Sequence, residues 1–418
     1  MPVNSDYLEG LRAIARPIRA AEMPRSLVPM RRLLHELGDP QNKFPSVVVT
    51  GSVGKGTACH KLARVVKSAA SLDRVGLFTG PHLHSFRERF RINGDMISPE
   101  AFVEAMNMVG QVISRLDFAY STFEMATALV LYWFARQKVD MAILEVGIGG
   151  RWDAVNVVEK VLAVFTPIER EHVAMLGGSL QTIAWNKAGI IQPNGWAVSQ
   201  RQLPVVEDIL RLEAGQKGAV LRFASPGHFM EEACHILAEQ HFIPSVSELT
   251  DCVVHQPEHL PGRFEAIEIK GRKVVIDGAH TPNSARLLEE SLDAEDAPVR
   301  FIIGMFKDKS ARDFLAVFDK PNFHITLTTA PGHRAFAPEV LAAQTNLQSA
   351  QVEMIPDLNA ALRQTETAPE KIVVVAGSLR MAAAAREFYG LLSADELAEA
   401  RLTREIFDGE DYLSRLAP

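Results

Sequence analysis

The residues with the clearest capacity for chemistry are Gly51, Gly54, Lys55, Gly56 and Thr57, which close the stretch Val-Val-Val-Thr-Gly-Ser-Val-Gly-Lys-Gly-Thr. These residue types belong together if a phosphate chain sits on them. Glycines let a backbone turn tightly and aim bare N–H groups at anionic oxygens, and a helix opening near Thr57 adds its positive end. Lys55 supplies a point charge. Thr57 supplies a hydroxyl of the kind that binds a Mg²⁺ bridging two phosphates. The spacing is shorter than in the common phosphate loop, and Gly56 intervenes between the lysine and the hydroxyl. The bland alternative is a strand, a glycine turn and a helix with no ligand.

Positioning such a loop requires a strand before it and a helix after it. Residues 47–50 are β-branched and predict a buried strand. Residues 57–71 predict a helix with Leu62, Val65, Val66 and Ala69 on one face. A second strand at 75–79 completes a βαβ unit and therefore a parallel sheet. The His- and Arg-rich segment 80–94 leaves the carboxyl end of that strand, where ligands of open α/β sheets bind, and Asn93-Gly94 marks a hairpin turn. It reads equally as a substrate loop or a solvated one. Before the phosphate loop, residues 7–37 carry a helical pattern, and helices are expected at 99–115 and 122–137, the second apolar enough to be central. A strand at 141–146 brings Glu145 to the edge where a P-loop ATPase holds a Mg²⁺ ligand, and a strand at 161–166 delivers Glu169, Glu171 and His172 there. The helix at 180–188 carries Lys187, which by itself reads as a charge at a helix C-terminus.

The chain has 418 residues, 47% hydrophobic and 23% charged, a globular composition large enough for two domains. Its net charge of −7 argues against a general nucleic-acid binder and leaves local basic sites open. No apolar run approaches a membrane span, and no basic-then-apolar leader opens the chain, so a cytoplasmic protein without membrane partner is expected. Cys59, Cys234 and Cys252 are odd in number and scattered, which predicts reduced thiols. Near residues 259–264 the composition turns to Pro and Gly, and a new βαβ pattern follows, with strands at 274–277, 301–305, 324–329 and 372–376. The expected division is residues 1–260 and 261–418, the second a small Rossmann-like domain.

Several short motifs follow one another along the chain in a fixed order. They include Leu37-Gly38-Asp39-Pro40-Gln41, the glycine loop, Pro81-His82-Leu83 with Glu88-Arg89, Arg91-Ile92-Asn93-Gly94 and Thr122-Phe123-Glu124. They continue through Leu144-Glu145-Val146-Gly147 with Gly149-Gly150-Arg151 and Asp153-Ala154, Glu171-His172, and Lys187-Ala188-Gly189-Ile190. Pro261-Gly262-Arg263-Phe264-Glu265, Asp277-Gly278-Ala279-His280, Gly304-Met305 with Asp308-Lys309, and Gly377-Ser378-Leu379 close the set. In that order they resemble the folylpolyglutamate synthase and dihydrofolate synthase branch of the Mur ligase family, over roughly residues 27–390. The resemblance implies an α/β protein with a P-loop Mur-ligase-like domain of parallel-rich sheet and a smaller Rossmann-like C-terminal domain.

It also implies a reaction. ATP phosphorylates a carboxylate, and an amine attacks the acyl phosphate to give an amide, with a dihydropteroate or folate and L-glutamate as the expected substrates. Carried over, Lys55 with Gly51, Gly54, Gly56 and Thr57 holds the phosphates. Thr57, Glu145 and His172 bind Mg²⁺, Lys187 as a carbamate binds a second Mg²⁺, and Arg263, Asp277 and His280 reach ATP from the second domain. A monomer is the family-like default. Four positions depart from the family pattern: Val53 and Gly80 replace an Asn and a metal-binding Ser, Glu171 replaces an Asp, and Thr281 replaces an Asn. They fit a divergent ligase with another acceptor acid, or a nucleotide-binding protein that has lost ligation. An unrelated P-loop ATPase is a third reading, and the ordered C-terminal motifs argue against it.

Overall fold

A β-branched run is buried on both faces when its alternate side chains enter two different layers, and strand β1 (Ser46–Thr50) does this. Val48 joins one apolar cluster, whereas Val47 and Val49 join another on the opposite side of the sheet. The same division holds for β5 (Met141–Glu145) and β6 (Lys160–Phe165), the neighbours of β1. The computed structural model describes residues 5–15, 25–68, 72–244, 260–292 and 297–408. Cys252 and the end of the expected 57–71 helix lie outside them. Cys59 and Cys234 are buried free thiols, as expected of reduced cysteines.

Contacts divide the chain into two compact units, one of Met1–Glu258 with Arg401–Pro418 and one of His259–Ala400. In the first, eight strands run in the order β4-β3-β2-β5-β1-β6-β7-β8. Strands β2 (Val75–Phe78), β5, β1, β6, β7 (Trp196–Gln200) and β8 (Val220–Ala224) are parallel, and β3 (Phe90–Ile92) with β4 (Asp95–Met96) forms an antiparallel edge hairpin around Asn93-Gly94. The connection from β1 runs to β2 on one side of it, whereas the connection from its neighbour β6 runs to β7 on the other side. That is the switch point at which open α/β sheets bind ligands.

The helical pattern at 7–37 resolves into α1 (Ser5–Ile14) and α2 (Val28–Glu36). The glycine loop leads into α3 (Lys55–Ser68), which starts two residues before the expected Thr57. Helices α4 (Pro99–Ile113) and α5 (Thr122–Gln137) follow. Ser121 starts α5 with a reciprocal cap to Glu124, and the helix is buried from Met125 through Leu131, in keeping with its apolar sequence.

In the second unit six strands run β13-β12-β11-β14-β10-β9. Strand β9 (Glu265–Ile269) is antiparallel to β10 (Arg272–Ile276). Strands β11 (Val299–Ile303), β12 (Phe323–Leu327), β13 (Gln351–Met354) and β14 (Ile372–Ala376) are parallel with β10. Val275, Phe301, Ile303, Ile325, Leu327 and Val374 point into one core, as period-two alternation requires. Among the described residues no helix is long and apolar enough to cross a membrane.

Candidate active site

At the carboxyl edge of β1 the backbone turns away through Gly51, with φ +148°, and Gly54, with φ +79°. Gly51 has no room for a side chain. A Cβ there would sit 1.9 Å from Thr166 Oγ1 and 2.8 Å from the Thr166 carbonyl oxygen. Gly51→Ala is therefore expected to lower stability by about 1–3 kcal/mol and to weaken ADP binding, since the loop must shift off β6. Thermal melting and ADP titration check this, and unchanged values in both would contradict it. Gly56 has an ordinary helical backbone, so a turn is not what requires it. Its Cα faces Glu145, and a methyl group added there would lie 3.5 Å from Oε2.

Lys55 opens α3 and folds back along the loop, its Nζ donating to the carbonyls of Gly51 at 3.0 Å and Ser52 at 3.4 Å. Lys187, on the helix Leu180–Ala188, reaches the same carbonyl. Its Nζ donates to the Gly51 oxygen at 2.7 Å and to Glu171 Oε1 at 2.9 Å. Two ammonium groups thus converge on one loop carbonyl. Burial pulls the Lys187 pKa down to about 8, against the pull of Glu171 in the other direction and with that of Lys55. For Glu171 burial works upward, but Lys187, Lys55 and His172 outweigh it and hold the carboxyl down at about 2. His172, with φ +48°, places Nε2 3.8 Å from Glu171 Oε2.

Glu145 ends β5 almost fully buried, 5% exposed, and accepts the Gly80 N–H at 3.0 Å. A side chain at Gly80 would start 2.7 Å from Arg89 Nη1, so the space of a serine there is taken by a guanidinium. Asp153, legible in the sequence only as part of a motif, is buried and accepts N–H groups from Ile148 and Val155. Burial raises its carboxyl to about 7 against those bonds and the Lys187 charge. Its task is to hold the Gly147–Gly150 loop under Lys187. Arg151 turns away from the phosphate loop to pair with Glu213 at 2.7 Å and lies over the Trp185 ring.

Sequence reasoning missed Ser52. Its N–H donates to the Pro167 carbonyl at 2.7 Å, and its Oγ accepts the Glu169 N–H at 2.9 Å, which ties the glycine loop to the segment bearing Glu171 and His172. A serine in a glycine loop carries no signal of a bond to a residue so distant in sequence. Thr57, in the first turn of α3, is exposed.

In the second unit, Asp277 follows β10 and uses both carboxylate oxygens on backbone. It accepts the Phe264 and Ala279 N–H groups, each at 2.6 Å. Burial raises its pKa even so, with Arg263 among the influences lowering it. His280 Nδ1 lies 2.8 Å from the Gly278 carbonyl, which fixes Nδ1 as the protonated nitrogen and leaves Nε2 the acceptor in the neutral ring. Thr281 caps the helix Pro282–Ser291 reciprocally with Ser284, so a hydroxyl cap stands in the place of the family's amide.

The family model of the Mur ligase glutamate ligase domain matches residues 262–379. The dihydrofolate synthase/folylpolyglutamate synthase of Mycobacterium tuberculosis is 29% identical, over 87% of this chain and 90% of that protein. Among solved structures, M. tuberculosis folylpolyglutamate synthase complexed with ADP aligns with a TM-score of 0.79 at 27% identity, covering 92% of this chain and 98% of that one. Escherichia coli FolC in complex with DHPP and ADP aligns with a TM-score of 0.75 at 25% identity, covering 87% and 92%. A glycine loop at the switch point of one sheet, followed by this second unit, defines an ATP-dependent ligase of the Mur type. Within that class the chain is similar over most of its length to enzymes of the folylpolyglutamate synthase/dihydrofolate synthase branch, and its residues 262–379 carry the Mur ligase glutamate ligase domain.

Proposed function

We propose that the protein joins L-glutamate to a pterin-type carboxylic acid, a dihydropteroate or a folate, as a monomer in the cytoplasm. The observation that carries this reading is the convergence of Lys55, Lys187 and Glu171 on the glycine loop, with Glu145 at the neighbouring strand end. The loop N–H groups and the α3 N-terminus, with Gly51, Gly54, Gly56 and Thr57, hold the phosphates, and Lys55 leaves its loop carbonyls to meet the β- and γ-oxygens. The substrate carboxylate takes the γ-phosphoryl group as the bond to ADP breaks. The amino nitrogen of glutamate then forms the C–N bond, phosphate leaves, and the ammonium proton goes to water. Arg263, Asp277 and His280 are assigned to the nucleotide on the family resemblance, with Asp277 shaping the loop that bears Arg263.

The residues present fit Mg²⁺. A buried carboxylate at Glu145 lies beside the start of α3, and among the described residues no three His, Cys, Asp or Glu side chains form a closed cage. Mg²⁺ suits such a site because it takes few protein ligands and completes its shell with phosphate and water. Thr57, Glu145 and His172 would hold it, and it would neutralise charge on the transferring phosphoryl group. Lys187, its pKa lowered to about 8, reaches the neutral amine that carbamylation requires at a lower pH than an ordinary lysine, and the carbamate would hold a second Mg²⁺.

The guanidinium standing at Gly80 favours one second reading, a ligase of the same mechanism with an acid other than a folate. One assay separates the two. Protein, ATP, Mg²⁺ and glutamate are mixed with dihydropteroate, reduced folates or a panel of other acids, and ADP and the amide are measured. Pterin-dependent ADP with a matching amide is expected. ADP with another acid alone transfers the assignment to the second reading, and no acid-dependent ADP overturns both.

A further inference from the structure

The helix Ala394–Asp408 reads in sequence as a charged tail without chemistry, yet Ala400, Thr403 and Phe407 are buried at 2%, 1% and 6% exposure. Spacings of three and four put them on one helical face. That face carries Phe407 to the segment that follows β2. Its ring stacks on Phe86, centroids 4.8 Å apart and planes 10° from parallel, and meets His82 at 5.7 Å and 62°. His82 also packs edge-on against Phe86 at 5.4 Å. Arg89 completes the group: its guanidinium lies 5.2 Å over Phe86, and its Nε donates to His82 Nδ1 at 3.0 Å. The same guanidinium fills the space beside Gly80, whose N–H is held by Glu145.

We propose that Phe407 is a positioning residue for the acid substrate, acting through Phe86 and His82 to hold the segment 80–89 and its Arg89 in one arrangement. The proposal rests on the ligase reading and on segment 80–89 facing the acid. A flat ring is needed because two rings, Phe86 and His82, are matched by one. An aliphatic side chain would restore burial without that orientation.

Phe407→Ala, Phe407→Leu and Phe407→Trp are compared with the full-length protein for KM of the acid, KM of ATP, thermal midpoint and amide hydrogen exchange in 82–89. In Phe407→Ala the acid KM rises roughly three- to tenfold, the scale of a lost aromatic pair, with ATP KM unchanged and faster exchange in 82–89. Phe407→Trp restores both, and Phe407→Leu recovers the midpoint but not the acid KM. Should the alanine variant not fold, the leucine and tryptophan variants decide. Unchanged acid KM and exchange in Phe407→Leu, or equal rises in both KM values, overturn the proposal. If the wild-type protein turns over no acid, the ligase reading fails separately, and exchange in 82–89 still decides the role of Phe407.

Discussion

Lys55→Ala lowers ATP-dependent amide formation by at least about 10²–10³-fold, the cost of removing one preorganised charge from a transition state in which negative charge spreads over phosphoryl oxygens. Stability changes little. The side chain is only partly buried, and its partners are two loop carbonyls, at 3.0 and 3.4 Å, which water can satisfy in its absence. Lys55→Arg does not restore the rate, because a planar fork cannot take the place of a compact ammonium inside a tight loop. Single-turnover ADP formation beside a thermal melt measures both halves of the expectation. A variant that keeps wild-type rates would remove Lys55 from the phosphate site.

Lys187→Ala has a different signature, because it damages both the site and the fold. Removing one partner of a buried ion pair leaves Glu171 without its hydrogen-bonded ammonium, while the Gly51 carbonyl keeps only Lys55, a loss of about 3–5 kcal/mol. Turnover is lost as well. If Lys187 works as a carbamate, bicarbonate does not rescue the variant, whereas a short carboxylic acid filling the space restores part of the rate. Activity at the wild-type level would exclude the carbamate.

The pH dependence follows from the same pair. Glu171 is held down at about 2 from an ordinary 4.5, so its contribution to stability is complete above 4.5 and is lost as pH falls toward 2. Lys187 moves the other way in its effect. Its folded pKa of about 8 lies below the ordinary 10.5, so the cost of burying the ammonium is full below pH 8 and is relieved as pH rises from there to 10.5. Denaturant melts across pH show this as an acid limb between 4.5 and 2 and a gain above 8. In Lys187→Ala the alkaline gain disappears and the acid limb shrinks, since Glu171 has lost its main stabilising charge and its folded pKa moves back toward 4.5.

Much of the first sheet was legible because its strands are continuous apolar runs ending in glycines or carboxylates. Residues 47–50, 141–146 and 161–166 could only be buried parallel strands, and those strands carry Gly51, Glu145 and Glu171 to one edge. Strand β13 escaped notice for the opposite reason. Gln351–Met354 is exposed throughout, and an edge strand without a buried face has no periodicity to read. Strand β9, with no fully buried residue and an antiparallel partner, lacks the βαβ signature.

The sequence by itself determined the class of chemistry, because a glycine loop with its lysine and hydroxyl is local, and its function depends on residues within a single turn of chain. Motif order extended this to the ligase family. Tertiary structure alone decided what several individual positions do. Gly80 makes room for Arg89, Thr281 is a helix cap, and Ser52 ties the loop to Glu169. It also decided that Lys187 and Lys55 share one carbonyl and that Phe407 closes over Phe86. Such contacts join residues far apart in the chain, and their energies depend on burial and distance, which no local pattern of residue types encodes.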